Sequence, residues 1–226
     1  MDANQLTSKG IAVFDICETL YYSNTTHDFI RYFARNRPGL VRKGLFHLLN
    51  HRLSPLRYVL IGGSVATGSD YFKRANVALL RGASEAKVRW FADRFVREYL
   101  ATRRVEQAQA LIKEYVEKGT RVILCSSSIE PVVRAVGNEL GIHDLVSTTL
   151  EKTDDRYTGR ILNDPTGRKL AALRDLSDAE IVCAVSDNLS DLDLLSASKR
   201  GIAVVHNARK RRFWKGKDLE VIDLSL

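Results

Sequence analysis

Short apolar runs punctuate this chain and alternate with amphipathic stretches. Ile11-Ala12-Val13-Phe14, Arg121-Val122-Ile123-Leu124-Cys125, Ile181-Val182-Cys183-Ala184-Val185 and Gly201-Ile202-Ala203-Val204-Val205 read as strands buried on both faces of a sheet. Strand-like pieces also fall near 145–150 and 158–162. Between these runs lie helical patterns at 104–117, closed by Gly119 as a C-cap, and near 129–139 and 167–176. Strands alternating with helices predict an α/β fold, a Rossmann-like three-layer core with a parallel sheet covered on both faces.

Residues 24–100 break the alternation, and no strand is predicted there. Residues 26–36 are helical, with Phe29, Ile30 and Phe33 on one face, and Pro38-Gly39 break that helix. Residues 40–60 are again helical, with basic residues and Pro55 interrupting the leucines. Gly62-Gly63-Ser64 and Gly68-Ser69 read as flexible punctuation, and helices follow at 70–81 and 84–100, the second with Ser84 as its N-cap. The expected organisation is a core domain of residues 1–22 and 104–226, interrupted after its first strand by an all-α cap domain, residues 23–103.

Composition narrows the class. The 226 residues are 45% hydrophobic and 27% charged, which suits a globular chain rather than a disordered or collagenous one. No run of about 18 uncharged apolar residues occurs, so no membrane span is expected, and residues 1–9 lack the layout of a signal peptide. Three cysteines without regular spacing argue against a disulfide framework or zinc site, which makes a cytoplasmic protein with reduced thiols the expectation. Cys125 and Cys183 read as small buried hydrophobes. The net charge of +8 is uneven: residues 22–110 hold 16 Lys and Arg against 6 Asp and Glu. That imbalance suggests an anionic partner for the helical segment, against the plainer reading of a solvated basic surface.

The chemistry-bearing residues stand at strand ends. Asp15 opens Asp15-Ile16-Cys17-Glu18-Thr19-Leu20 just past the first strand, where open α/β sheets place their ligands. Ser126 directly follows the strand ending at Cys125, with Ser127 and Ser128 next and a helix start at Glu130-Pro131, an arrangement suited to an anion. Lys169 lies in Pro165-Thr166-Gly167-Arg168-Lys169-Leu170, with Lys152 and Arg168 as competing candidates and a surface lysine as the plain alternative. Past the strand at 181–185 comes Ser186-Asp187-Asn188-Leu189-Ser190-Asp191, whose two carboxylates four apart can meet one hard cation.

In this order the four groups resemble the haloacid dehalogenase-like superfamily, within it the phosphoserine phosphatase-like branch, whose helical cap lies between the first and second groups. The resemblance covers nearly the whole chain. Asp15 and Thr19 match its Asp-x-Asp-x-Thr loop, but Cys17 replaces the second Asp, and Ser186 stands where Gly is usual before Asp187 and Asp191. The resemblance implies a Mg2+-dependent phosphomonoesterase that forms an aspartyl-phosphate on Asp15. It implies metal contacts from Asp15, the Cys17 backbone carbonyl, Asp187 and, through water, Asp191. It further implies phosphate contacts from Thr19, Ser126, Ser127, Lys169 and Asn188. The expected partner is a small phosphorylated substrate with an additional anionic group. Cys17 removes the proton-moving carboxylate, a contribution of about 10²–10⁴ in rate, so slow or specialised catalysis is expected. The alternatives are a weakly active binding or regulatory protein and a lipid-phosphate phosphatase in weak contact with an anionic membrane surface. Nucleic acid is not the expected partner, and the run 208–215 reads more simply as a basic C-terminal helix.

Overall fold

The four apolar runs form the centre of one seven-stranded sheet in the computed structural model, which describes residues 10–36, 40–67 and 70–225. The strands are β1 (Ile11–Phe14), β2 (Arg121–Ile129), β3 (Asp144–Thr153), β4 (Arg156–Asn163), β5 (Ile181–Ser186), β6 (Gly201–Val205) and β7 (Glu220–Asp223), in the order β4-β3-β2-β1-β5-β6-β7. Every neighbouring pair is parallel except β3 and β4, which are antiparallel. The expected parallel sheet is thus present, with one antiparallel strand at its edge. Asp154 and Asp155 both take positive φ, 49° and 57°, which lets a two-residue turn close a hairpin.

Alternation along β1 shows why the sheet is covered on both sides. Ala12 and Phe14 join one apolar cluster, and Ile11 and Val13 join another. The first cluster takes Ile112 of α6 (Glu106–Glu117) and Val132 and Val136 of α7 (Glu130–Leu140). It continues without a break into Phe29 and Phe33 of α1 (Thr25–Asn36) and Phe91 and Phe95 of α5 (Glu85–Phe95). Each fully buried phenylalanine contributes roughly 1.5–3 kcal/mol, so the segment between β1 and β2 is anchored by the same core as the sheet. The second cluster takes Leu173 of α8 (Lys169–Arg174), Leu194 and Leu195 of α9 (Leu192–Ser196) and Trp214 of α10 (Ala208–Trp214). Cys125 and Cys183 are free thiols buried in these clusters, as expected.

Residues 40–60 form two helices rather than one, α2 (Leu40–Asn50) and α3 (Pro55–Thr67), with Pro55 as the first residue of α3. Gly62, Gly63 and Ser64 lie inside α3 instead of breaking the chain. A Cβ on Gly63 would stand 3.3 Å from the Tyr71 ring, and Ser64 Oγ accepts the Tyr71 N–H at 2.9 Å. The glycine therefore permits close packing against α4 (Tyr71–Ala78). Ser84 holds the N-cap position of α5 but makes no capping hydrogen bond, whereas Asp70 caps α4 through the Lys73 N–H. Helix α5 runs into a π-helical turn, Val96–Leu100. Gly119 follows α6 at φ +66°, as a C-capping glycine requires. The breaks expected at Pro38-Gly39 and Gly68-Ser69 lie outside the described residues, as do residues 1–9. No described helix is long and apolar enough to cross a membrane.

Candidate active site

The strand order reverses direction between β1 and β5, and open α/β sheets gather ligands outside the carboxyl ends of the strands at such a point. Asp15 follows β1 and Asp187 follows β5, tied by the Asp15 N–H to the Val185 carbonyl at 3.0 Å. Both carboxylates are nearly buried and line one cavity of about 480 Å³. Burial first, and the Asp15 charge second, push the Asp187 carboxyl up to about 6.

The loop after β1 turns sharply. The Ile16 carbonyl accepts the Leu20 N–H at 3.0 Å, and Glu18 takes a positive φ of 48°. This turn aims Asp15 back at its own backbone: Oδ1 accepts the Ile16 N–H at 2.6 Å. Thr19 is fully buried and binds the second acidic loop, accepting the Asp187 N–H at 3.0 Å and donating to Asp187 Oδ1 at 3.4 Å.

Lys169, at the start of α8, is only 2% exposed, which excludes the surface-lysine alternative. Its Nζ donates to Asp15 Oδ2 at 2.9 Å and to Asp191 Oδ2 at 2.7 Å. The two carboxylates outweigh the cost of burial and raise its pKa, so the ammonium is charged. Lys152 and Arg168 do not compete for this position. Lys152 pairs with Glu85 at 2.8 Å, and Arg168 donates to the Asp164 carbonyl at 2.9 Å.

Asp191 is wholly buried and its carboxylate is engaged: Oδ2 takes the Lys169 ammonium and the Ser186 hydroxyl at 2.6 Å. Ser186, the departure from glycine noted in the sequence, thus supplies the hydroxyl that fixes Asp191. Asn188 lines the cavity, and its side-chain oxygen accepts the Ser190 N–H at 3.1 Å. Of the serines after β2's apolar run, Ser127 lines the cavity; Ser126 is fully buried and accepts the Ser128 N–H at 3.3 Å.

Cys17 also lines the cavity. Its Sγ lies 2.9 Å from Thr25 Oγ1 and 3.0 Å from Ser128 Oγ, and those two hydroxyls contact each other. Burial first and the Asp15 charge second push the thiol pKa up, so it stays protonated at neutral pH.

Several residues of the site went unnoticed in the sequence. Lys210 of α10 reaches Asp187 Oδ2 with its ammonium. Lys73 of α4 lines the cavity and crosses to the sheet, donating to the Ser127 carbonyl at 2.6 Å, Thr148 Oγ1 at 2.9 Å and Asp164 Oδ2 at 2.8 Å. His27 of α1 and Arg57 of α3 close the helical side, the guanidinium of Arg57 lying 5.3 Å from the centre of the Phe72 ring. The run 208–215 offered Lys210 only as one of several basic residues, and no sequence signal marked Lys73.

Comparison with known proteins was made against this geometry. The family model for haloacid dehalogenase-like hydrolases matches residues 12–196. Phosphoserine phosphatase SerB1 of Mycobacterium tuberculosis is 22% identical over 222 residues, covering 95% of this chain and 71% of that protein. A Bordetella pertussis protein of unknown function superposes with a TM-score of 0.76 at 22% identity, covering 96% of this chain and all of that one. The crystal structure of phosphoserine phosphatase from T. onnurineus superposes with a TM-score of 0.57 at 26% identity, covering 99% of this chain and 94% of that one.

Proposed function

Since the chain belongs to the haloacid dehalogenase-like hydrolase family, we propose that it is a phosphatase hydrolysing a phosphomonoester at Asp15, with Mg2+ as cofactor and residues 23–103 as the cap that selects substrate. The observation that carries this reading is the buried Lys169 ammonium at 2.9 Å from Oδ2 of Asp15, a carboxylate that lines one cavity together with Asp187.

The donor set suits Mg2+. Asp15 and Asp187 are paired carboxylates in a poorly solvated place, where burial and the Asp15 charge raise the cost of charging Asp187. No three His, Cys, Asp or Glu side chains group into a metal cage among the described residues. Mg2+ is commonly held by one or two carboxylates, with waters and substrate phosphate completing the shell. Asp15, Asp187 and the Cys17 carbonyl would hold it, and it would neutralise charge on the transferring phosphoryl group. Asp191 takes a part beyond the one expected. Engaged by Lys169 and Ser186, it positions the lysine, and it would reach the metal through water.

In the first step an Asp15 carboxylate oxygen forms a bond to phosphorus as the ester P–O bond breaks, and the leaving oxygen departs with the electron pair and takes a proton from solvent. Lys169 offsets the repulsion between the carboxylate and the incoming phosphate dianion. Ser127 and Asn188 in the cavity wall offer hydrogen bonds to the phosphoryl oxygens. Water then attacks phosphorus, releasing inorganic phosphate and restoring Asp15. The Cys17 thiol, with its raised pKa, is a weaker acid toward the leaving oxygen of the first step than a carboxyl would be, and while protonated it cannot serve as base toward the water of the second, so esters with good leaving groups are the best substrates. Hydrolysis of p-nitrophenyl phosphate tests the reading. Activity should depend on Mg2+, vanish with EDTA and vanish in Asp15→Asn. Turnover surviving in Asp15→Asn refutes the nucleophile assignment.

One further observation favours a second reading. Leu45, Leu48, Leu53, Tyr58 and Val59, on and between α2 and α3, are all exposed beside Lys43 and Arg52. Exposed apolar side chains flanked by cations suit an anionic membrane surface. Flotation with anionic liposomes tests it, and no salt-sensitive binding excludes it.

A further inference from the structure

A second concavity, of about 330 Å³, opens between α1 and α2, and its charge is one-sided. Its walls carry His27, Arg31, Arg35, His47, His51 and Arg52, and no Asp or Glu lines it. His27, Arg31 and Arg35 fall four apart on α1, so they share one stripe of that helix. Like charges at that spacing repel rather than support a helix. Among the described residues no ion pair answers Arg31, Arg35 or Arg52. The nearest acid, Asp28, approaches His27 Nδ1 at 3.4 Å but is held by the Ser23 hydroxyl at 2.7 Å. Three guanidinium groups converging on a hollow without a protein counter-charge form a receptor for an oxyanion, which such planar donors bind in pairs.

This hollow adjoins the candidate active site through one layer of side chains. His27 stands in the wall of both cavities. Asn50, in the wall of the basic one, donates from Nδ2 to the Phe46 carbonyl at 3.0 Å and to Asn76 Oδ1 at 2.9 Å, and Asn76 lines the catalytic cavity. Asn50 Oδ1 therefore faces His27 Nε2 at 2.8 Å and accepts its proton. Three hydrogen-bonded polar residues thus join the linings of the two cavities.

We propose that the basic pocket between α1 and α2 binds a second phosphate-type anion on the same substrate molecule whose phosphomonoester is attacked at Asp15. The substrate class is a molecule with two separated phosphate groups, one cleaved and one held by Arg31, Arg35 and Arg52. This rests on the phosphatase reading and deepens it, and the two fail differently.

The test compares kcat/KM for α,ω-alkanediol bisphosphates of increasing chain length with the monophosphates of the same diols. At the length that spans both cavities the bisphosphate should be preferred roughly tenfold or more, the effect of one or two charge-assisted hydrogen bonds. The double variant Arg31→Gln/Arg35→Gln should bring that preference near parity, and Arg31→Lys/Arg35→Lys should keep part of it. Both arginines are exposed, so circular dichroism should show unchanged folding. Parity in the wild type at every length, or a preference untouched by the glutamines, overturns the inference. So does saturable binding of inorganic pyrophosphate, lost in the glutamine variant, without any advantage for bisphosphates, which assigns the pocket to a separate effector. If no phosphomonoester is hydrolysed, the phosphatase reading fails. Calorimetric titration then decides the pocket alone: tighter binding of the bisphosphate, weakened by the glutamines, supports it, and equal binding refutes it.

Discussion

Replacing Lys73 by Met should loosen the contact between the helical segment and the sheet, and the size of the effect follows from three hydrogen bonds. The Lys73 ammonium reaches the Ser127 carbonyl, Thr148 Oγ1 and Asp164 Oδ2 at 2.6, 2.9 and 2.8 Å. Hydrogen bonds to charged groups contribute about 1.5–3 kcal/mol each. Two facts reduce the sum. The Lys73 and Asp164 side chains retain 10% and 24% exposure, so water screens the pair. Asp164 also keeps the Thr166 hydroxyl at 2.6 Å and N–H at 3.1 Å, so its carboxylate is not stranded. Returned side-chain freedom offsets a further 1–2 kcal/mol or so. The expected loss is about 2–3 kcal/mol, or roughly 4–12 °C in Tm for a chain of this size.

The pH dependence supplies a sharper check. Burial tends to raise the Asp164 carboxyl, but the hydrogen bond and charge of Lys73, followed by Thr166, hold it below its usual range. A carboxyl with a depressed folded pKa contributes stability that is present above the unfolded pKa and lost as pH falls through the folded one. Urea unfolding of wild type and Lys73→Met should therefore differ by a constant amount above about pH 5, and the gap should narrow below about pH 4. A gap under about 0.5 kcal/mol, or one still undiminished well below pH 4, refutes the account of Lys73 as an ionic anchor.

Three other substitutions have definite outcomes. Lys169→Met should abolish turnover and cost about 3–5 kcal/mol in chemical denaturation, because it leaves Asp15 and Asp191 buried beside each other without their cation. Lys210→Gln should tighten Mg2+ activation up to about fivefold, since an ammonium on Asp187 that competes with the metal is removed; a pair with one partly exposed partner is worth up to about 1 kcal/mol. Weaker Mg2+ activation in that variant assigns Lys210 to substrate instead. Cys17→Asp should raise kcat for alkyl phosphates by about 10²-fold or more if the missing carboxylate limits the rate. Thr25 and Ser128, which already contact the thiol, would donate to that carboxylate, and an unchanged kcat shows that proton transfer is not limiting.

The sheet and the centre of the site were legible because strand ends are addresses. Asp15 and Asp187 each follow an uninterrupted apolar run, and parallel pairing of β1 with β5 brings their ends together whatever lies between. The buried Lys169 was legible only as a member of an ordered series, since a lysine at a helix start carries no mark of burial. The hairpin β3–β4 was missed as antiparallel because Asp154-Asp155 gives no glycine to announce the turn. Gly62-Gly63 misled because glycine marks both loops and close helix packing, and only the position of Tyr71 separates the two. Lys73 and Lys210 could not be read at all. Lys73 meets partners 54 and 91 residues away, through the placement of one short helix.

That placement links selection to chemistry. Lys73 holds the carbonyl of Ser127, and Ser127 lines the cavity that Asp15 and Asp187 share. The same ammonium fixes where α4 lies, and α4 carries Phe72 and Asn76 into the cavity wall. Asn76 is in turn hydrogen-bonded through Asn50 to His27. Polar contacts from α4 therefore tie it through Lys73 to the end of β2 and through Asn76, Asn50 and His27 to the arginine pocket. A displacement of α4 would change the wall of the catalytic cavity and the partition behind it together. The acidic groups of the site sit at the ends of sheet strands and are answered by Lys169 and Lys210, while Arg31 and Arg35 on α1 and Arg52 just past α2 have no ion-pair partner among the described residues. A substrate with anionic groups at both ends would meet a neutralised carboxylate pair at one end and free guanidinium groups at the other. Arg31, Arg35 and Arg52 thereby put part of the positive charge of residues 22–110 to use in binding.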